Sequence, residues 1–127
     1  MFANTPAISS FAVNDLESAR EFYGKTLGLT VEDLPYGGGL LSIRTADGHS
    51  VMVYPKPDFT PATYTVLHFQ VDDVDAAVDQ LTSAGVPMDQ YDGFDQDEKG
   101  IDRSAGPAIA WFRDPAGNIL AVTQRPT

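Results

Sequence analysis

The sequence predicts an α+β chain made of two βαβββ units, each a sheet covered on one side by a helix. Three observations carry this. FAVNDLESAREFY from Phe11 aligns with FQVDDVDAAVDQL from Phe69 at an offset of 58 residues, matching Val13 with Val71, Asp15 with Asp73 and Ala19 with Ala77. ADGHSVMVY aligns with PAGNILAVT at an offset of 69, which sets Gly48 over Gly117 and Arg44 over Arg113. Both copies pass from period-two to helical patterning and back at the same places. The second copy is therefore longer by 11 residues, assigned to the Asp- and Gly-rich stretch Asp92 to Gly106.

Each copy opens on an alternating apolar run, Ile8 to Val13 and Tyr64 to Val71, read as a strand. A helix follows. In the first copy Asn14 is the expected N-cap with Glu17 three residues on, the apolar face is Leu16, Ala19, Phe22 and Tyr23, and Gly28 ends the helix. In the second Asp72 is the expected cap, the face is Val74, Ala77, Val78 and Leu81, and Gly85 ends it. Three strands complete each copy: Thr30 to Leu34, Leu40 to Arg44 and Ser50 to Tyr54, then Pro87 to Tyr91, Ala108 to Arg113 and Ile119 to Gln124. Gly37, Gly38 and Gly39 have no helix after them and read as a hairpin loop, not a phosphate cradle. The expected organisation is one domain over 1–127, with units at about 6–56 and 63–125.

Composition narrows the function. A formal charge of −10 and a pI near 4.2 argue against nucleic acid and anionic membranes as partners, which carry the same sign. With no cysteine there are no disulfides, thiolate nucleophiles or cysteine-bound zinc. No basic-flanked leader or apolar span is evident, so a soluble cytoplasmic protein is expected. There is no GxSxG, HExxH, Walker loop or dinucleotide fingerprint.

VNDLESAREFYGKTLGL, VDDVDAAVDQLTSAGV and WFRDPAGNILAVTQ together resemble the vicinal oxygen chelate superfamily, which holds glyoxalase I, extradiol dioxygenases and bleomycin resistance proteins. The resemblance implies paired units curling into an open barrel around a cleft, with a homodimer completing the site. It also implies a metal bound by one residue on each of four strands, and those positions here are Ile8, Met52, Val66 and Ala121. None offers an imidazole nitrogen or a carboxylate oxygen, so no metal and no cofactor is expected.

Side-chain alternation from those positions brings Ser10, Tyr54, His68 and Gln70 to the cavity side. The resemblance puts Trp111 there too, which takes Ile109 and Arg113 along, and the repeat adds Ser42 and Arg44. The expected ligand-binding set is thus Ser10, Ser42, Arg44, Met52, Tyr54, His68, Gln70, Trp111 and Arg113, a mixture of apolar area and sparse polar groups suited to a small molecule. His68 is the one candidate for acid-base catalysis; alternatively it only contacts ligand or is a hydrogen-bonded barrel histidine. Arg44 and Arg113 either pair with Asp47 and Asp114 or hold a ligand anion. DPAGN reads as an Asx turn, His49 as a turn residue, and the acidic residues of Asp92 to Gly106 as solvated charges, since their spacing matches no calcium loop.

The leading functional expectation is a metal-independent binding protein that sequesters or senses a small planar or apolar ligand. The alternatives are a glyoxalase-like lyase or isomerase using His68, and a noncatalytic interaction module. Because the expected cavity set has two arginines and no carboxylate, a neutral or anionic ligand is expected.

Overall fold

The computed structural model describes residues 1–126 and divides into two compact units, Met1–Thr60 and a second that begins at Pro61. The fold is α+β, with two mixed sheets and few helices. Among the described residues no helix is long and apolar enough to cross a membrane.

In unit one, β1 (Ser9–Val13), β2 (Thr30–Leu34), β3 (Leu40–Arg44) and β4 (Ser50–Pro55) form a sheet in the order β1-β4-β3-β2. β1 and β4 are parallel; the other pairs are antiparallel. Helix α1 (Leu16–Glu21) supplies the crossover and runs into a π-helical turn at Phe22–Thr26, where the Leu27 N–H donates to the Phe22 carbonyl at 2.9 Å. One face of the sheet, with Phe11, Val13, Leu41, Ile43, Val51 and Val53, is buried together with Ala19, Phe22 and Tyr23 from the helical segment. The Tyr23 ring lies 5.9 Å from Phe11 and 5.1 Å from Phe22, so three aromatics anchor this core. The glycine triplet is the loop of the antiparallel β2–β3 pair, and all three of its glycines have positive φ.

In unit two, β5 (Thr65–Val71), β6 (Ile109–Arg113) and β7 (Ile119–Gln124) form a sheet in the order β5-β7-β6, again with a parallel crossover pair, β5 and β7. Helix α2 (Val74–Ser83) buries Val74, Val78 and Leu81 against the face that carries Ala110, Phe112, Leu120 and Val122.

The structure corrects three sequence expectations. Both helices are capped one residue later than expected, by Asp15 and Asp73 instead of Asn14 and Asp72. Asp15 sits in the extended region and accepts from the Glu17 and Ser18 N–H groups; Asp73 does likewise for Ala76 at 3.1 Å. The expected strand Pro87 to Tyr91 is reduced to one bridge, Met88 with Phe112, plus the Asp89 N–H donating to Trp111 at 2.9 Å. Pro87 brings no N–H, and Gln96 takes the next backbone groups: its Oε1 accepts from the Tyr91 N–H at 2.7 Å and its Nε2 donates to the Asp89 carbonyl at 2.9 Å. Lastly, residues 92–106 are not simply a solvated run. Asp97 accepts from the N–H groups of Lys99 and Ile101 and from Arg103, Ile101 is buried, and Asp102 pairs with Ile109 through both backbone groups.

Candidate functional site

Direct pairing across a sheet puts partners on one face. In unit one Ser10 pairs with Met52, Met52 with Ser42, and Ser42 with Glu32; Ala12 pairs with Tyr54, and Arg44 with Ser50 and Thr30. Ser10, Ser42, Arg44, Met52 and Tyr54 thus share the face away from α1, as their half-buried or exposed state also shows. Glu32, which the sequence reading did not assign, stands on the same face. Arg44 makes no salt bridge among the described residues, so the expected pairing with Asp47 does not form; Asp47 itself adopts φ 61° in the turn.

In unit two the matching row is His68, Ala121 and Trp111, and the next is Gln70, Thr123 and Ile109. His68 is exposed on this helix-free face, and its Nδ1 lies 3.2 Å from Thr123 Oγ1, which fixes the ring's orientation. Ala121 is fully buried between the two larger side chains' strands. A register shift between Thr65 and Leu67 leaves Val66 outside the regular pairing.

Arg113 pairs with Asp89 and not with Asp114. Its Nε and Nη2 each donate to a different Asp89 oxygen at 3.0 Å, and this bidentate bond raises the guanidinium's pKa further. Asp89 also accepts from the Tyr91 hydroxyl at 3.3 Å; burial, with the Asp89 charge beside it, pushes the Tyr91 phenol above its ordinary value and keeps it a donor. Asp114 serves the turn instead. It is buried and accepts from the N–H groups of Ala116 at 3.0 Å and Asn118 at 2.8 Å and from Asn118 Nδ2 at 3.0 Å.

Trp111 is the centre of the arrangement. Tyr91 and Phe94 from the loop stand edge-on around it, with ring centroids 5.6 and 5.2 Å away, and lie 5.6 Å from each other. Two cavities flank this cluster. One of about 450 Å³ is lined by Phe94, Asp95, Asp102, Ser104, Ile109 and Trp111 with neighbouring loop backbone. The other, about 340 Å³, is lined by Tyr64, Tyr91, Phe94, Trp111 and Ile119, with Thr63 and Thr65. Both fall in the size range of small-molecule sites. From the expected set they use Trp111, with Ile109 from the same strand and Ile119 from the adjacent β7. Tyr64, Tyr91 and Phe94 were missed; Tyr64 directly precedes β5, and the signal of Tyr91 and Phe94 was aromatics interleaved with Asp and Gly in YDGFD, where no period marks them. The expectation of a cavity free of carboxylates does not hold, because Asp95 and Asp102 line the larger one.

The metal implied by the resemblance does not fit the residues present. Ile8 precedes β1, Val66 sits at the register shift, and neither these nor Met52 and Ala121 supply a hard donor. Among the described residues no three His, Asp or Glu side chains converge to hold an ion.

Comparison with known proteins agrees with this architecture. Over 126 residues the chain is 28% identical to CFP32 of Mycobacterium bovis, a candidate glyoxylase, covering 94% of this chain and 45% of the relative; it spans about half the length of the curated relatives it matches. The structure of TnmS3, an antibiotic binding protein from Streptomyces sp. CB03234, is similar with a TM-score of 0.70 at 26% identity, covering 97% of this chain and 98% of that one. A glyoxalase family protein from Enterococcus faecalis shares the fold with a TM-score of 0.71 at 16% identity, covering 98% and 100%. The model of the Glyoxalase/Bleomycin resistance protein/Dioxygenase superfamily matches residues 7–122, and the chain belongs to that superfamily.

Proposed function

We propose that this chain is a metal-independent small-molecule binding protein, which sequesters or senses a planar or apolar ligand at Trp111. The observation that carries the reading is the aromatic wall of Trp111, Phe94 and Tyr91 with a cavity on either side. Flat rings bury much area against such walls at little entropic cost, while Asp95, Asp102 and Ser104 supply a few orienting polar groups. The antibiotic binding named for TnmS3 supports the same class of function. In this reading the chain is cytoplasmic and forms a homodimer, each unit's helix-free sheet face is a curled ligand-facing surface, His68 and Gln70 add secondary ligand contacts beside Trp111, and Ser10, Ser42, Arg44, Met52 and Tyr54 line the first unit's own face. Arg113 is excepted, since Asp89 already holds its guanidinium.

Trp111 is the only tryptophan, so its emission reports directly on the site. Titration with a library of planar aromatics is expected to change that emission and to stabilise the fold by about 2.7 kcal/mol at 100 times the dissociation constant. A library with no member that does either overturns the reading. Elemental analysis of chelator-free protein tests metal independence, and a stoichiometric transition metal refutes it. A monomer mass in light scattering at micromolar concentration refutes the dimer.

The hydrogen bond between His68 and Thr123 favours a second reading, a glyoxalase-like lyase or isomerase with His68 as acid-base. His68→Ala separates the two. A binder loses affinity modestly, whereas an enzyme loses about 10²-fold in turnover.

A further inference from the structure

The two cavities beside Trp111 are not alike. Phe94 and Trp111 line both, so this pair of rings is the wall between them. The smaller cavity is otherwise bounded by Tyr64, Tyr91 and Ile119, with two threonines as its polar groups. The larger one has the carboxylates of Asp95 and Asp102 and no Lys, Arg or His in its lining. Asp102 Oδ1 accepts from the N–H and hydroxyl of Ser104 at 2.8 and 2.6 Å, which fixes that carboxylate at the cavity wall.

Phe94 is held differently from the loop that bears it. Gln96 ties the base of the tip to Tyr91, Asp89 and Gly100, and Lys99 and Arg103 tie the loop onward to Asp75 and Asp79 of α2. Between these anchors Phe94 itself is half exposed, at 52% of its surface, and follows Gly93 in a left-handed conformation; its backbone N–H donates to the Tyr91 carbonyl at 3.3 Å, while its ring meets Tyr91 and Trp111 at an angle. Each cavity by itself is near the lower end for a ligand site, large enough for one or two fused rings. Turning Phe94 aside would join them.

We propose that the two cavities form one two-part binding site partitioned by Phe94, whose ligand is an elongated molecule with a flat apolar ring system at one end and a hydrogen-bond-donating end at the other. The ring system lies among Tyr64, Tyr91 and Ile119, and the donor end meets Asp95 and Asp102. This rests on the small-molecule reading of the Trp111 site, and it fixes the ligand's shape and polarity, which that reading leaves open.

The test is calorimetric titration of the full chain with naphthalene carrying one short chain that ends in ammonium, hydroxyl or carboxylate. The expected order is ammonium, then hydroxyl, then carboxylate, with about tenfold between the first and last. In Asp95→Asn/Asp102→Asn that difference collapses while the ring still binds. In Phe94→Ala a three-ring anthracene analogue, excluded by the parent protein, binds. Equal affinity for all three end groups, or anthracene binding unchanged by Phe94→Ala, overturns the two-part site but leaves small-molecule binding at Trp111 standing. No calorimetric or thermal response to any of these probes, or to the wider planar library, overturns both.

Discussion

Across unit one, Ser10, Met52 and Ser42 stand side by side on the helix-free face; in unit two the repeat puts His68, Ala121 and Trp111 at the same three places. Unit one finishes its row with Glu32 on a full edge strand. Among its described residues unit two has no such strand, and the chain that would have formed it leaves the sheet after Met88 and Asp89 and returns as a loop carrying Tyr91 and Phe94 to Trp111. One scaffold thus yields an open polar face in one copy and an aromatic site in the other. The difference comes from about 11 inserted residues and from Gln96, whose amide satisfies backbone groups that an edge strand would otherwise use.

The equivalent arginines show the same divergence. Arg44 projects from the end of β3 with no salt bridge among the described residues, whereas Arg113 is committed to Asp89, a residue held beside β6 by the Met88–Phe112 bridge and by its own N–H bond to the Trp111 carbonyl. The turns that follow them diverge too. In both, residue 45 or 114 donates its N–H to the carbonyl four residues on, but the second turn closes over a buried carboxylate and the first over a partly exposed threonine.

That pair of turns gives the largest expected effect. Asp114→Ala leaves the Ala116 and Asn118 amides and the Asn118 side chain without their acceptor in a buried place, and is expected to cost about 3 kcal/mol of stability in urea unfolding. Thr45→Ala, its counterpart, is expected to stay within about 0.5 kcal/mol. Equal losses would mean that the two turns are energetically the same despite their different burial.

Next is Trp111→Ala against Tyr54→Ala, one large aromatic from each unit's helix-free face. Removing the ring at the centre of the aromatic wall is expected to cost about 2 kcal/mol of binding to a planar ligand, roughly 30-fold, measured by calorimetry because the fluorophore is lost. Tyr54→Ala is expected to change affinity by less than about threefold. If Tyr54 matters as much, the first unit's face belongs to the site and the contrast between the units fails.

Where the units agree, their mutants should agree. Asp15 and Asp73 cap the two helices in the same geometry, so Asp73→Ala is expected to cost about 1 kcal/mol, and Asp15→Ala to lower the unfolding midpoint in parallel. These caps also show how far sequence reasoning reaches. In both copies a polar residue directly precedes the true cap, and only the backbone geometry, extended at Asp15 and Asp73, decides which side chain meets the free N–H groups. Strands β2, β3 and β7 were legible to the residue because apolar alternation and glycine punctuation bound them. The loop was not, since its order comes from a glutamine side chain bonding to backbone and from ion pairs to α2, and neither leaves a period in the sequence. Alternation from the implied metal positions put His68 on the helix-free face and the family resemblance put Trp111 there, whereas nothing in the sequence placed Tyr91 and Phe94, which turn that face into a cavity wall.

The smallest expected effect concerns the loop's acid sensitivity, a property the shorter first unit lacks. Burial pushes the Asp97 carboxyl upward, but the N–H groups of Ile101 and Lys99 and the Arg103 guanidinium outweigh it, so its pKa ends below the ordinary 3.8. A depressed folded-state value means that this carboxylate contributes stability fully above the unfolded-state pKa, and that the contribution is lost as pH falls through the lower folded-state value. Between pH 7 and about 5 the loop should therefore hold, and below about pH 4 it should loosen as Asp97 takes a proton and releases Arg103, Lys99 and Ile101. Because Phe94 and Tyr91 ride on this segment against Trp111, the tryptophan emission should shift in that acid range before global unfolding is seen by circular dichroism. Asp97→Asn should show the loosened emission already at pH 7 and no further step on acidification. A parent protein whose emission and circular dichroism change together would show that the loop unfolds only with the sheet beneath it, and the second unit would then be as uniform in its stability as the first.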